Sequence, residues 1–457
     1  MHLLNIINIT KIIIATFKIH LTYKDSIINN KIINLPVKQI LSKMKITFLI
    51  ILSLLNSILL INGQKISEWR PEHRTGVSAE TGLLKSWPQN GPEMIWFNEE
   101  LPTGFSSVTF GNNLIYLTGM SENKDNLIAL DTLGKIKWKV PYGRSWNGSN
   151  PESRCTPTVE GNRVYVSSGS GDLACIDAKN GTIIWSLKAS EIYKGTFGPW
   201  GIAESLIIDE NKLYFTTGGP ATMIIALDKK TGNMIWKSES LNDNPAYVSP
   251  ILINYSGKKF IVNVSASYVF AVDPSTGKIV WKIKHLDINP EKAEVIKCVT
   301  PVYHDGKIYI TGGYDHGGFM LSLTDGGNKA TVAWTDKVLD VHHGGVVLLN
   351  GYIYGSNWLS NSDGNWCCID WNTGQKKYEE HWKCKGSIIS AEGLLYIYDE
   401  RNGFVGLVRA NPKKFDLISS FKISKGSGPY WAHPVIHNGI LYIRHGKVLM
   451  AFNIKSN

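Results

Sequence analysis

Ala226-Leu-Asp228-Lys-Lys-Thr-Gly232-Asn-Met-Ile-Trp236 and Ala271-Val-Asp273-Pro-Ser-Thr-Gly277-Lys-Ile-Val-Trp281 are two copies of one phrase. Cys175-Ile-Asp177-Ala-Lys-Asn-Gly181-Thr-Ile-Ile-Trp185 replaces only its first residue, and Ala129-Leu-Asp131-Thr-Leu-Gly134-Lys-Ile-Lys-Trp138 is one residue shorter in the turn. Cys368-Ile-Asp370-Trp-Asn-Thr-Gly374-Gln-Lys-Lys-Tyr378 closes on Tyr, and two degenerate copies end at Trp334 and Phe421. Physically the phrase is a β-hairpin. The Asp caps the turn through the local backbone, and Gly supplies the φ > 0 position. The following strand delivers an aromatic ring able to bury a large area against a neighbour. A spacing of roughly 46 residues is that of propeller blades.

Outward from the phrase, each repeat has an opening hairpin, as in Thr156-Pro157-Thr-Val-Glu-Gly161-Asn-Arg-Val-Tyr165 and Thr300-Pro301-Val-Tyr-His-Asp-Gly306-Lys-Ile-Tyr309. Two hairpins give four strands per blade. The last copy stops at Ala451-Phe-Asn453, without its Gly and Trp, whereas Gly91-Pro-Glu-Met-Ile-Trp96 holds that missing half. A ring left open would expose two strand edges. The expected fold is therefore all-β: a single eight-bladed β-propeller of four-stranded antiparallel blades, with an N-terminal strand closing the last blade.

Residues 1–43 contain 23 Ile, Asn or Lys and no regular periodicity, as expected of a spurious upstream extension. From Met44 the pattern is that of a signal peptide over 44–63: Lys45, an apolar run from Ile46 to Ile61, and a cleavage point after Gly63. The propeller would then occupy 64–457, in an exported protein, periplasmic or secreted, that is monomeric and has no membrane span in its mature form. The net charge of +10 is concentrated upstream; from Gln64 on, 41 basic side chains face 37 acidic ones with no basic run, so no nucleic-acid partner is implied. The six Cys fit neither a disulfide framework nor a zinc site, and most occupy positions suited to small core residues.

The inner strands of a propeller line its channel, so equivalent positions on the opening strands form rings. One ring contains Ser107, Thr156, Ser205, Ser249, Thr300, Gly345, Ser387 and His433; it is expected chiefly to satisfy backbone at the strand starts. Two residues earlier, on the same strand face, lie Phe105, Arg154, Ala203, Tyr247, Cys298, His343, Lys385 and Trp431. Arg154, Tyr247, His343, Lys385 and Trp431 are candidate binders of a small polar or anionic ligand, through charged hydrogen bonds and stacking. Glu204, Asp399 and Glu400 add carboxylates, and His433 a group suited to proton transfer. His342 and His343 are neighbours that a regular strand would point apart, so they could not chelate one ion together, although Gly344 and Gly345 permit an irregular turn that leaves a metal role open. No P-loop, dinucleotide glycine fingerprint, His-Glu-x-x-His or Gly-x-Ser-x-Gly elbow occurs.

The Ala-x-Asp-x-x-x-Gly-x-x-x-Trp phrase resembles the tryptophan-docking repeat of the pyrroloquinoline-quinone (PQQ)-like propeller superfamily. That superfamily includes quinoprotein alcohol dehydrogenases and an outer-membrane assembly lipoprotein. Trp200-Gly-Ile-Ala-Glu204, His342-His343-Gly-Gly and Ala391-Glu-Gly-Leu-Leu-Tyr396 look like exported bacterial members. The resemblance implies three functions. A ligand-binding propeller would use the funnel alone. A PQQ- and Ca²⁺-dependent alcohol or sugar dehydrogenase would use Glu204 as metal ligand, Asp399 or Glu400 as base and His433 in proton movement. A scaffold would bind a protein partner. The chain is much shorter than the resembling dehydrogenases and lacks their vicinal-disulfide loop; it also lacks the Cys that would carry a lipid anchor.

Overall fold

The computed structural model describes residues 66–71, 73–290 and 297–456. The expectations for 1–43, for the signal at 44–63 and for cleavage before Gln64 lie outside the described residues. The strands fall into eight sheets. In chain order, seven blades span 109–144, 158–187, 207–237, 251–284, 302–336, 346–380 and 386–422. Blade 8 joins Val435–His437, Ile440–His445 and Val448–Asn453 to Glu93–Asn98. Its closure is antiparallel, with Trp96 opposite Ala451. The eight-bladed all-β ring is as the repeats imply.

Each repeated hairpin is built as its residues dictate. In blade 2 the Asp177 carboxylate accepts the Lys179 and Asn180 N–H groups, and Gly181 N–H returns to the Asp177 carbonyl. The residue two before Asp faces the closing aromatic: Ala129 with Trp138, Cys175 with Trp185, Ala226 with Trp236, Ala271 with Trp281 and Cys368 with Tyr378. A bulge follows that pair in each case, adding local twist. The Trp then docks on the glycine of the next blade. At Gly277, with φ +78°, an added Cβ would lie 2.5 Å from the Trp236 ring, so the position excludes any side chain. The indole N–H donates to the same turn: Trp96 to Thr132, Trp138 to Lys179, Trp185 to Lys229, Trp236 to Pro274 and Trp281 to Gly327 carbonyls. Trp96 of blade 8 docks on Gly134 of blade 1, which completes the ring. Blade 7 departs from the expected register. Leu407 pairs with Ser419, and Phe421, two residues further along the same face, packs on Gly91 instead.

The N-terminal segment does more than close blade 8. Ile66–Ser67 pairs with the inner strand of blade 2, Thr158–Glu160, and Val77–Ser78 runs parallel to the inner strand of blade 7, Gly386–Ala391. Between them the chain lies in the channel. Arg70 donates to the carbonyls of Val346 and Ile388, in blades 6 and 7. Arg74 donates to those of Leu206 and Pro250, at blades 3 and 4 across the ring. All six cysteines are unpaired, and Cys367 and Cys368 are buried.

Candidate functional site

The small-hydroxyl ring is a structural belt. Ser107 N–H donates to Thr156 Oγ1 at 2.9 Å, Thr156 N–H to Ser205 Oγ at 3.1 Å and Ser205 N–H to Ser249 Oγ at 2.9 Å. Thr300 Oγ1 donates to the Ser249 carbonyl and Ser107 Oγ to that of His433. Each bond crosses from one blade to the next and gives a strand-start N–H or carbonyl the partner that burial demands. The belt breaks at Gly345, where an added Cβ would lie 2.6 Å from Arg70 Nη1. The Arg70 guanidinium fills that gap.

Above the belt, most of the second ring converges on one mouth. Trp431 packs on Phe105 at 4.9 Å and edge-on to His343 at 5.3 Å. The Arg154 guanidinium lies 5.9 Å from the Phe105 ring. Its charge is felt by Tyr247 and Cys298 further round. Tyr247 packs edge-on against Trp200 at 5.4 Å. Arg154 is half-buried, tied to the loop carbonyls of Asn150 and Glu152. Burial lowers its pKa. On the far side of Trp431, Lys385 Nζ is 2.7 Å from Glu400 Oε1 and donates to the Ser360 carbonyl at 2.9 Å. Glu400 Oε2 stands 3.2 Å from His343 Nε2. Burial raises the Glu400 pKa, against the pull of Lys385. His343 is held down to about 3, by desolvation first and then by the Lys385 charge; His342 falls to about 3 by desolvation with the His343 charge next.

Three expected site residues lie elsewhere or are already engaged. Asp399 is fully buried and accepts the Arg401 and Asn402 N–H groups, so it caps a turn. His433 accepts from Arg70 Nη1 at Nδ1 (3.1 Å); its Nε2–H therefore donates to the His343 carbonyl, also at 3.1 Å. Desolvation, then the Arg70 charge, takes its pKa down to about 3, which keeps the imidazole neutral near pH 7. Glu204 sits near Arg74, where Oε2 accepts Thr216 N–H and Oε1 has no partner. Desolvation pushes its pKa up to about 7.

Sequence reasoning missed the floor of this funnel: Trp69, edge-on to His433 at 5.2 Å, with the buried Arg70 and Arg74. A Trp-Arg pair and an Arg-Thr-Gly turn standing outside every repeat were the available signal. It also missed Asp125, whose carboxylate accepts Gly169 N–H, senses the Arg154 charge and is pushed up to about 7 by burial. A cavity of about 430 Å³ is lined in part by Lys297, His316, Asp340 and Trp358. Burial lowers Lys297 to about 8 and raises Asp340 to about 6. The funnel carries the denser set of charged and aromatic groups, and it is the better candidate site.

A channel closed by its own chain beneath a polar, aromatic-lined mouth, in a ring of tryptophan-docked blades, defines a propeller of the PQQ-like class. A family model described as outer membrane protein assembly factor BamB matches residues 123–380, and the chain belongs to that family. Among curated relatives, BamB of Kangiella koreensis is 26% identical over 155 residues, 32% of this chain and 36% of that protein. A polyvinylalcohol dehydrogenase of a Sphingopyxis species is 30% identical over 156 residues, 32% of this chain and 22% of that one. The chain thus spans only about a third and a fifth of these relatives' lengths. Two solved structures share the fold. BamB from Moraxella catarrhalis matches with a TM-score of 0.57 at 15% identity, over 79% of this chain and 99% of that one. Quinohemoprotein alcohol dehydrogenase from Comamonas testosteroni matches with a TM-score of 0.63 at 12% identity, over 84% and 79%.

Proposed function

We propose that this protein is an exported PQQ-like propeller that binds a small polar or anionic ligand in the funnel at one mouth of its channel. The supporting observation is the convergence of Arg154, Tyr247, His343, Lys385 and Trp431 above a floor of Trp69, Arg70 and Arg74. The Arg154 guanidinium and several aromatic faces suit a carboxylated or polyhydroxyl molecule, bound by charged hydrogen bonds and stacking. The test is titration with a panel of sugar acids and simple sugars, followed by Trp fluorescence and calorimetry. Arg154→Ala should weaken binding about ten- to a hundredfold, the worth of a hydrogen bond to a charged group, with the melting temperature retained. Equal binding by Arg154→Ala and Trp431→Ala would remove the funnel from consideration.

The quinone alternative has less support from the residues present. Calcium takes six to eight oxygen ligands, yet Glu204 has one oxygen already bonded and Arg74 nearby, Asp399 caps a turn, and Glu400 is paired with Lys385. These carboxylates do not fit a calcium–quinone centre. Adding PQQ and Ca²⁺ should leave the quinone absorbance unchanged. A scaffold that binds a protein partner is favoured by family membership and by exposed apolar side chains on outer strands, such as Ile95, Phe97, Ile183, Ile184, Met234 and Ile235. Replacing Ile184 and Ile235 with Lys should abolish cross-linking to such a partner while leaving funnel binding intact. Among the described residues no helix is long and apolar enough to cross a membrane. Export would proceed by the 44–63 signal, giving a monomeric mature form that begins at Gln64; N-terminal sequencing of secreted protein tests this.

A further inference from the structure

We propose that His342, His343 and Glu400 form a binding site for one divalent transition-metal ion of the zinc type in the wall of the funnel. One ligand atom from each residue lies within 4.8 Å of the other two. Ligands held roughly 2.0–2.2 Å from a common ion sit about 3–4 Å apart, so closure requires side-chain movements of only about an ångström. Adjacent residues on a regular strand point to opposite faces, but these two precede the inner strand Val346–Leu349 and are followed by Gly345 at φ +72°. Their rings consequently lie side by side, with centroids 4.3 Å apart.

Two nitrogens in this cluster, His342 Nδ1 and His343 Nε2, are buried without a hydrogen-bond partner. Buried polar atoms are ordinarily paired. The 3.2 Å approach of Glu400 Oε2 to His343 Nε2 brings two electron-rich atoms close without the alignment of a hydrogen bond, as two ligands of one cation would stand. The neighbours are arranged as outer-shell supports. The Tyr314 hydroxyl lies 3.0 Å from His342 Nε2, fixing that ring and leaving Nδ1 to the metal. Lys385 holds Glu400 through Oε1 and leaves Oε2 turned toward the histidine. Two imidazoles with a single carboxylate suit zinc and its first-row neighbours; calcium and magnesium prefer all-oxygen sets. Three protein ligands leave at least one coordination position for solvent or for a donor atom of a funnel ligand. The site does not depend on the identity of that ligand.

The test is calorimetric titration of chelator-treated protein with Zn²⁺ and, separately, Ca²⁺. One equivalent of Zn²⁺ should bind and raise the melting temperature, and Ca²⁺ should not compete. His343→Ala and Glu400→Gln should each weaken Zn²⁺ binding more than about a hundredfold, beyond the roughly 10–100-fold that losing an outer-shell partner costs. His381→Ala, at an exposed imidazole, should bind like the unaltered chain. Should the two site variants fail to fold, Co²⁺ bound to the unaltered protein must still give the visible bands of a low-coordinate nitrogen–oxygen site. Absence of stoichiometric binding, Zn²⁺ affinity unchanged in both folded variants, equal preference for Ca²⁺, or an octahedral aquo-like Co²⁺ spectrum would overturn the proposal. Loss of the metal with sugar-acid binding intact would leave the funnel reading standing.

Discussion

The Trp236 indole rests on Gly277 and donates to the Pro274 carbonyl, so one side chain joins blade 3 to blade 4 through both a packed face and a hydrogen bond. With 9% of its surface exposed, Trp236→Ala should cost about 3–5 kcal/mol in chemical denaturation, without altering funnel binding. Glu204 carries a different signature. Burial raises its pKa to about 7, well above an unfolded carboxylate near 4.3. The native state therefore holds this proton where the unfolded chain has lost it, and the contribution of Glu204 to stability declines as pH rises from about 4.5 to 7. Glu204→Gln should thus gain on the unaltered protein by about 1.4 kcal/mol per pH unit across that window, as read from urea midpoints; a constant difference would contradict the assigned environment. The docking residues were legible because Asp, Gly and Trp act within one hairpin and its neighbour, and seven copies repeat the signal. Arg70, Arg74 and Asp125 were not, since each acts once, through partners scattered over distant blades. Ser419 and Phe421 show the limit of the pattern: a two-residue offset preserves the packing face and hides the change of register.

Among the elements, the inner strands are linked sideways by the hydroxyl belt rather than by ladder bonds. Thr156→Val keeps the shape and removes the acceptor for Ser107 N–H. That buried donor would be left unpaired, at a cost of about 1–3 kcal/mol, measurable as a lowered denaturation midpoint; Ser107→Ala, which retains its own N–H bond, should cost less. The belt was legible as a register of small hydroxyls, and its structural role was the expected one. The channel segment was only half legible. The sequence identifies Glu93–Asn98 as the strand missing from blade 8, because it continues the repeat. Residues 66–78 lack any periodic phase, and their strand pairs are two residues long. What fixes them is two guanidiniums bonding to inner-strand carbonyls, a long-range match that no local pattern announces. Arg70→Met should release His433 from an adjacent positive charge and raise its imidazole pKa in an NMR titration; an unchanged value would show that desolvation alone holds it down.

For the whole molecule, stability should rise from acid pH and level off near pH 7. Below that pH the unfolded chain takes up protons that His285, His342, His343 and His433, each held near 3, refuse in the folded state, so stability falls on acidification below about 6.5. Asp125 and Glu204, held near 7, keep protons that the unfolded chain loses above about pH 4, so they offset part of that gain between about pH 4 and 7 and change little above it. Thermal melts from pH 4 to 9 check the rise and the levelling off. The two strands that meet at Trp96 and Ala451 are separated by 355 positions in the chain. Bringing such distant points together carries a loop-closure entropy of about 5 kcal/mol, none of which is recovered until the contact forms. The order of events in time follows. Blades 1 to 7 can each assemble from contiguous chain as it emerges, whereas blade 8 waits for the last stretch to be made and then recruits a strand synthesised long before. Until that moment Glu93–Asn98 is an unpartnered edge, and the nascent ring is exposed to pairing with another chain.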